Sequence, residues 1–364
     1  MNLSVLGAGN GAQTLAGHLA SKGNAVMLFE HPDFPENLKA IKQKGNRIRL
    51  DGVLSCTGEL KAASSDISEV VGHGEILFVL MPSYAQERVF DLAMPFLREG
   101  QLIVFMPGNF ASLVAKRKLS ESNLRDKGVL IAETDTIPYA CRLKEPGESS
   151  VYGLKDYLSI SSLPGSRIDD VMAILKPIFP ISMSPMKNVL NVGFANTNMI
   201  LHCPTMIMNA GRIEFGAPKF GFYEEGMTPS VCRVMEGMDE ERLRVGEKLG
   251  LKLKTEFEDI LANYPMEGDF KSLYEVIQNC EVYVGHGADS PDTLTFRYIS
   301  EDVPFLLVPV AQFGDLVGEP TPLIDAVIAL SEVANDVKYR ESGRNFRALG
   351  LESMSVEEIK EYVR

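Results

Sequence analysis

Long apolar runs are missing from this 364-residue sequence. The longest, at residues 76–82 and 303–311, fall far short of the roughly 18 residues that a membrane-crossing helix needs, so no membrane partner is expected. The first six residues are too short, and lack the basic flank, for a secretory signal. Cysteine is scarce and unpatterned: Cys56, Cys141, Cys203, Cys232 and Cys280 are odd in number, widely spread and never in C-x-x-C spacing. That argues against a disulfide framework and against a zinc or other metal site, and points to a reducing, cytoplasmic setting. Runs of Lys and Arg are absent too. With 36 Lys plus Arg against 49 Asp plus Glu the net charge is −13, a balance that repels phosphate backbones and anionic lipid and removes nucleic acid from the expected partners. No internal repeat or low-complexity stretch is found.

What is present is an ordinary globular composition, 45% hydrophobic and 23% charged, enough for two domains of about 150 residues each. Short runs rich in Val, Ile, Leu and Phe at residues 3–6, 25–29, 76–81, 102–105 and 129–131 read as buried strands. Helical spacing at 13–22 and 85–94 separates them. Strand, helix, strand in that order predicts an α/β, doubly wound parallel sheet. Residues 150–152 and 157–161, and a helix over 168–176, extend the same sheet in this reading. From Asn188 onward helical patterns dominate, including helices opened by Thr228-Pro229 and Thr321-Pro322, where Pro takes the first helical position. The expected boundary lies near Lys187, with a nucleotide-binding domain over 1–186 and a mainly α-helical second domain over 187–364.

Gly7-Ala8-Gly9-Asn10-Gly11-Ala12 directly follows the first strand and opens the first helix. This G-x-G-x-x-A spacing supplies a tight turn at Gly7, close backbone approach to a pyrophosphate at Gly9, and tight helix packing at Ala12, with the helix N-terminus aimed at the phosphates. Glu30 ends the second strand, where a carboxylate accepts hydrogen bonds from the adenosine ribose and repels a 2′-phosphate. His31 and Pro32 beside it offer no fixed cation, so NAD is expected ahead of NADP. Met81-Pro82-Ser83 and Met106-Pro107-Gly108-Asn109 end two more strands at the same carboxyl edge; they either border the nicotinamide or hold loop geometry alone, and the residues do not separate these.

Hydride transfer at a carbon bonded to oxygen or nitrogen needs a proton donor, and His suits neutral pH. Of five histidines, His18, His31 and His73 read as structural or solvated, and His286 lies in a glycine-flanked loop that keeps it a candidate. His202 stands apart because residues 188–211 contain no Asp, Glu, Lys or Arg, while Asn191, Asn198, His202, Thr205 and Asn209 fall on one helical face. A buried helix with a neutral polar stripe lines something. Pro204 bends it near His202. These grounds leave open both a catalytic imidazole and a satisfied core histidine. Arg297 to Pro304, a polar stretch before an apolar run, reads most simply as a surface charge cluster.

Several strings together carry a resemblance. They are the Gly7 to Ala12 turn; the stretch from Ala132-Glu133-Thr134 through Ile137-Pro138-Tyr139 to Arg142; His202-Cys203-Pro204 with Asn209-Ala210-Gly211-Arg212-Ile213-Glu214; Phe222-Tyr223-Glu224-Glu225-Gly226; and Arg297-Tyr298 with Glu301-Asp302-Val303-Pro304. In these the chain resembles the opine dehydrogenase family over nearly its whole length. The resemblance implies a Rossmann domain followed by a helical substrate domain. It also implies reductive condensation of an amino acid's amine with a 2-oxo acid, commonly pyruvate, using NADH or NADPH. By the same resemblance His202 is the proton donor and acceptor, Asp302 its orienting partner and Arg297 the clamp for the oxo-acid carboxylate, which reverses the surface reading of that stretch. Asn198, Tyr139 and Arg142 become candidate substrate contacts, and Gly7, Gly9, Asn10, Gly11, Ala12, Glu30 and Pro82 candidate cofactor contacts. The competing readings are a hydroxy-acid or polyol-phosphate dehydrogenase, whose usual lysine has only Lys187 to match it, and a non-catalytic dinucleotide sensor. Monomer and homodimer both stay open.

Overall fold

The computed structural model describes residues 1–122, 128–264, 266–285 and 289–364. They divide into two compact units, 1–192 joined by 363–364, and 193–362. The expected boundary at 186/187 lies just past the last strand; the division itself falls within the helix Val189–Ala195.

The first unit's strands are β1 (Asn2–Leu6), β2 (Ala25–Phe29), β3 (Arg47–Gly52), β4 (Cys56–Glu59), β5 (Ala62–Ser64), β6 (Ile76–Val79), β7 (Leu102–Phe105), β8 (Leu130–Thr134), β9 (Tyr139–Glu145), β10 (Glu148–Leu154), β11 (Tyr157–Ser162) and β12 (Ser182–Pro185). Among the described residues eight form one sheet in the order β12-β11-β8-β7-β6-β1-β2-β5. Its central strands are parallel. The apolar runs that mark them follow from burial on both faces: Leu3, Val5, Val26, Leu28, Ile76 and Phe78 join one core, while their neighbours Leu6, Met27, Phe29, Leu77 and Val79 join another. Successive side chains of a strand point to opposite faces, so a sheet covered on both sides needs no polar alternation.

Two features of this unit depart from the expectation. β11 joins the sheet antiparallel to β8, so the sheet is mixed. Residues 150–152 do not extend it; they belong to β10, which pairs antiparallel with β9 and parallel with β3 in a second sheet ordered β4-β3-β10-β9. A turn through Gly147, at φ +86°, folds β10 back on β9. In β3 only Ile48 and Leu50 are buried, with Arg47 and Arg49 exposed, the alternation of a strand covered on one face.

The second unit is helical among the described residues, apart from an isolated bridge between Gly221 and Asp289. The helices expected after Thr228 and Thr321 span Pro229–Lys248 and Pro322–Asn335. The Thr228 side chain caps the first by accepting from the Val231 amide. The charge-free segment is not one helix. It breaks after Val189–Ala195, restarts as Asn198–Met208 and again as Ala210–Phe215. Asn196 makes the break by accepting the Asn198 amide through Oδ1 at 3.1 Å, a side-chain bond that competes with the helical ladder. Asn191 therefore does not share a continuous face with His202.

Candidate active site

The glycine-rich turn sits where β1 meets the helix Asn10–Ser21. Gly7 has φ +112°, and a Cβ there would stand 2.3 Å from the Leu80 carbonyl oxygen, so no other residue fits. A Cβ on Gly9 would meet no atom within 4 Å. That open face lies beside a helix N-terminus that no side chain caps among the described residues, where backbone amides can meet an anion. The turn is braced from behind. Glu30 Oε2 accepts the Ala8 amide at 2.9 Å, and the Ala8 carbonyl accepts from Gln13 Nε2 at 2.7 Å and Asn37 Nδ2 at 2.8 Å. Asn10 Oδ1 accepts the Leu143 amide at 3.1 Å, tying the turn to β9. Gly11 faces Ile137, and Ala12 is buried.

Glu30 is thus a brace as well as a ribose candidate, its Oε1 accepting the His31 amide at 2.9 Å. A cation does stand nearby, though not from the adjacent sequence: Arg88, on the helix Ser83–Ala93, places Nη2 3.2 Å from both His31 Nε2 and Asp33 Oδ2. Pro82 precedes that helix. The two Pro-containing loops are stitched together, with Asn109 Nδ2 donating to Ser83 Oγ at 2.8 Å and Gln86 Nε2 to the Pro107 carbonyl at 2.7 Å. These residues fit a dinucleotide: an open glycine face, the amides of a helix N-terminus and a carboxylate at the end of β2.

In the second unit His202 and Asp302, a hundred positions apart, meet: Nδ1 and Oδ2 are 2.7 Å apart and both residues are 5% exposed. A carboxylate only accepts, so Nδ1 carries the proton and Nε2 is the remaining nitrogen. Asp302 immediately precedes a π-helical turn, Val303–Leu307. There the Val308 amide reaches back to the Val303 carbonyl, and Pro309 has no N–H to offer Pro304. The Pro304 carbonyl accepts the Arg344 amide instead, at 2.9 Å. This is possible because Gly343 approaches so closely that a Cβ on it would lie 2.3 Å from that oxygen. Such turns recur at functional sites.

Arg297 begins the short helix Arg297–Ser300, its side chain half-exposed and its Nε 3.5 Å from the buried Glu301 Oε2. Its field also acts on Asp302, Tyr298 and Tyr223. Asn198 starts the helix that carries His202, one turn earlier, and is partly exposed. Thr205 and Asn209, the rest of the stripe, bond to backbone carbonyls of Leu201, Thr205 and Gly226, so they stabilise the helix and its neighbour.

Tyr139 corrects the expectation of a substrate contact; Arg142, on the same strand, stays a candidate. Tyr139 is 4% exposed in the first unit's core, its hydroxyl 3.0 Å from His18 Nδ1. Burial, and then Lys22, lower the His18 pKa to about 4, which keeps the pair neutral. Arg142 is an exposed residue of β9 paired in register with Ser150. His31 and His73 bond locally to Arg88, Lys61 and the Ala25 carbonyl; His286 lies outside the described residues. Among the described residues no group of three or more His, Cys, Asp and Glu is placed to hold a metal, and no helix is long and apolar enough to cross a membrane.

Sequence reasoning passed over two residues. The Tyr223 hydroxyl is 3.1 Å from His202 Nε2, and the Tyr298 ring stacks on the imidazole at 3.8 Å and 18°. Withdrawal from water, reinforced by the Tyr298 hydroxyl at 3.5 Å, holds the Tyr223 phenol protonated well above its ordinary range. Both lie in strings that carry the family resemblance, but no spacing rule connects Tyr223 to His202.

The NAD/NADP octopine/nopaline dehydrogenase alpha-helical domain profile matches residues 185–335, and the NAD-dependent glycerol-3-phosphate dehydrogenase N-terminus profile matches residues 2–118. The glycerol-3-phosphate dehydrogenase profile thus falls in the cofactor half, and the octopine/nopaline profile lies mostly in the helical half. An opine dehydrogenase of Arthrobacter sp. (strain 1C) is 30% identical over 363 residues, covering 99% of this chain and 98% of that protein. Octopine dehydrogenase, solved with NADH and L-arginine, superposes at a TM-score of 0.78 with 21% identity, covering 98% of this chain and 97% of the other. Yersinopine dehydrogenase with NADP+ bound superposes at 0.74 with 14% identity, over 100% and 99% of the two chains. The chain accordingly belongs to the opine dehydrogenase family and is an NAD(P)-dependent oxidoreductase acting on CH–NH donors.

Proposed function

We propose that the protein reductively condenses the amine of an amino acid with a 2-oxo acid such as pyruvate, and oxidises the resulting secondary amine in reverse. The observation that carries this reading is the bond between His202 and Asp302, with the charge of Arg297 acting on that carboxylate. One imidazole supported by a carboxylate and one guanidinium are what the reaction requires: an acid-base group and a carboxylate clamp. Octopine dehydrogenase has been solved with NADH and L-arginine and with NADH and pyruvate, which supports the same pair of substrate classes here.

In this reading Arg297 holds the oxo-acid carboxylate and so fixes the carbonyl carbon. Asp302 keeps Nδ1 protonated and directs Nε2 to the substrate, where His202 takes a proton from the attacking ammonium and returns one to the departing hydroxyl. Asn198 adds a neutral polar contact. Gly7 to Ala12, Glu30 and Pro82 hold the dinucleotide, which supplies hydride to the imine carbon when bound. A cytoplasmic setting belongs to the same reading, supported by five cysteines that never fall in C-x-x-C spacing.

NADH oxidation with pyruvate and a panel of amino acids tests this. Turnover is expected only with both co-substrates; turnover with an oxo acid alone refutes it. NAD is the preferred cofactor in this reading, because Glu30 repels a 2′-phosphate. Glu30→Ser is expected to lower the NAD-to-NADP ratio of kcat/KM by about tenfold, the scale of one charged hydrogen bond, and an unchanged ratio would show that Glu30 does not meet the ribose.

A further inference from the structure

The nitrogen through which His202 must reach a substrate is Nε2, and in the structure a phenol stands on it. Tyr223 Oη is 3.1 Å from Nε2, while Nδ1 is committed to Asp302. The tyrosine is held rather than loosely placed: its ring stacks on Tyr283 at 4.9 Å and 29° and meets Phe222 edge-on at 5.2 Å and 89°. Tyr298 fixes the imidazole plane by stacking, and its hydroxyl lies 3.5 Å from that of Tyr223. His202 is nearly inaccessible, whereas Tyr223 and Tyr298 are partly exposed. A group that is to exchange a proton with Nε2 must therefore displace the phenol or act through it.

We propose that Tyr223 is a further catalytic residue, whose hydroxyl carries the proton between Nε2 of His202 and the substrate. The proposal rests on the condensation reading above. With the imidazole neutral, Tyr223 O–H donates to Nε2. With it protonated, Nε2–H donates to the phenol oxygen, and the phenolic proton is free to turn to the substrate, or to Tyr298 when none is bound. In the condensation direction the phenolic proton passes to the carbinolamine hydroxyl as its C–O bond breaks, and the Nε2 proton replaces it on the phenol in the same step. The nitrogen lone pair forms the new C=N bond and water leaves. Imidazolium becomes imidazole as the neutral carbinolamine becomes a cationic iminium, so protons and charge balance. The phenol gains a proton as it loses one and never becomes tyrosinate, which suits a group whose acidity burial has weakened.

Tyr223→Phe keeps the ring and removes only the hydroxyl. It is expected to lower kcat by about a hundredfold, within the range of general acid-base catalysis, with KM for both substrates little changed and NADH binding intact. The proton inventory in H2O and D2O mixtures separates relay from packing: bowed in the wild type, where two protons move together, and linear in Tyr223→Phe. Site-specific fluorotyrosines at 223 preserve both ring and hydroxyl, and kcat is expected to vary with their acidity. Equal kcat in wild type and Tyr223→Phe, or a rate indifferent to phenol acidity, overturns the relay and makes the hydroxyl a placeholder that substrate displaces. Wild-type turnover with an oxo acid alone would instead refute the condensation reading, and the same Tyr223→Phe ratio on that turnover would still decide the relay.

Discussion

His202→Ala is expected to reduce turnover by about three orders of magnitude while leaving NADH affinity unchanged. The proposed acid-base group is lost, yet the glycine-rich turn proposed for the dinucleotide belongs to the other compact unit. Truncation also leaves Asp302, 5% exposed, without its imidazole partner, and an uncompensated buried charge is strongly destabilising. His202→Asn guards against that confusion, since its amide can still donate to Asp302 but cannot titrate. Both variants are expected to be inactive and the second to melt closer to the wild type. Fluorescence titration with NADH measures the cofactor arm, and a parallel loss of NADH affinity would contradict the assigned role.

The largest effect on stability is expected at Arg242, which is completely buried. Its guanidinium donates to Asp239 Oδ1 at 2.8 Å through Nε, with Nη2 2.6 Å from the same oxygen, and to the carbonyls of Phe194 and Lys254, each at 2.6 Å. Asp239 Oδ2 in turn accepts the Glu256 amide at 2.8 Å. One side chain thus joins the helix Pro229–Lys248 to the segment leading into the His202 helix and to the start of the helix Glu256–Asn263. Arg242→Leu removes these donors and strands the Asp239 carboxylate, at a cost of about 3–5 kcal/mol, or roughly 6–20 °C in Tm for a unit of this size. The double variant Arg242→Leu with Asp239→Leu is expected to recover part of that loss, because deleting both partners removes the buried charge. Thermal unfolding checks both; a single variant that melts with the wild type would mean that the network contributes nothing.

Much of the cofactor half was legible because its signals are local. The strand β2 spans the residues that its apolar run marked out, 25–29, since burial on both sheet faces writes itself as a continuous run. Gly7 was legible for the same reason: a turn that brings its backbone against Leu80 admits no side chain. The second sheet was not, because β3 and β9 are paired through β10, a partner about a hundred residues away from β3 in sequence, and an alternating strand of mixed polarity resembles a loop. Tyr139 misled for a related reason, since membership in a family string says nothing of whether a side chain faces a ligand or His18.

By itself, the sequence determined that a doubly wound sheet precedes a helical region, that a glycine-rich turn joins the first strand to the first helix, and that His202 lies in a segment without charge. These follow from propensities and spacings that act over a few residues. Only the tertiary structure decided that the charge-free segment breaks at Asn196, that Asp302 meets Nδ1, and that Tyr223 stands on Nε2. Those contacts join residues far apart in the chain, and the packing of whole helices, not the order of residues along any one of them, sets which side chains meet.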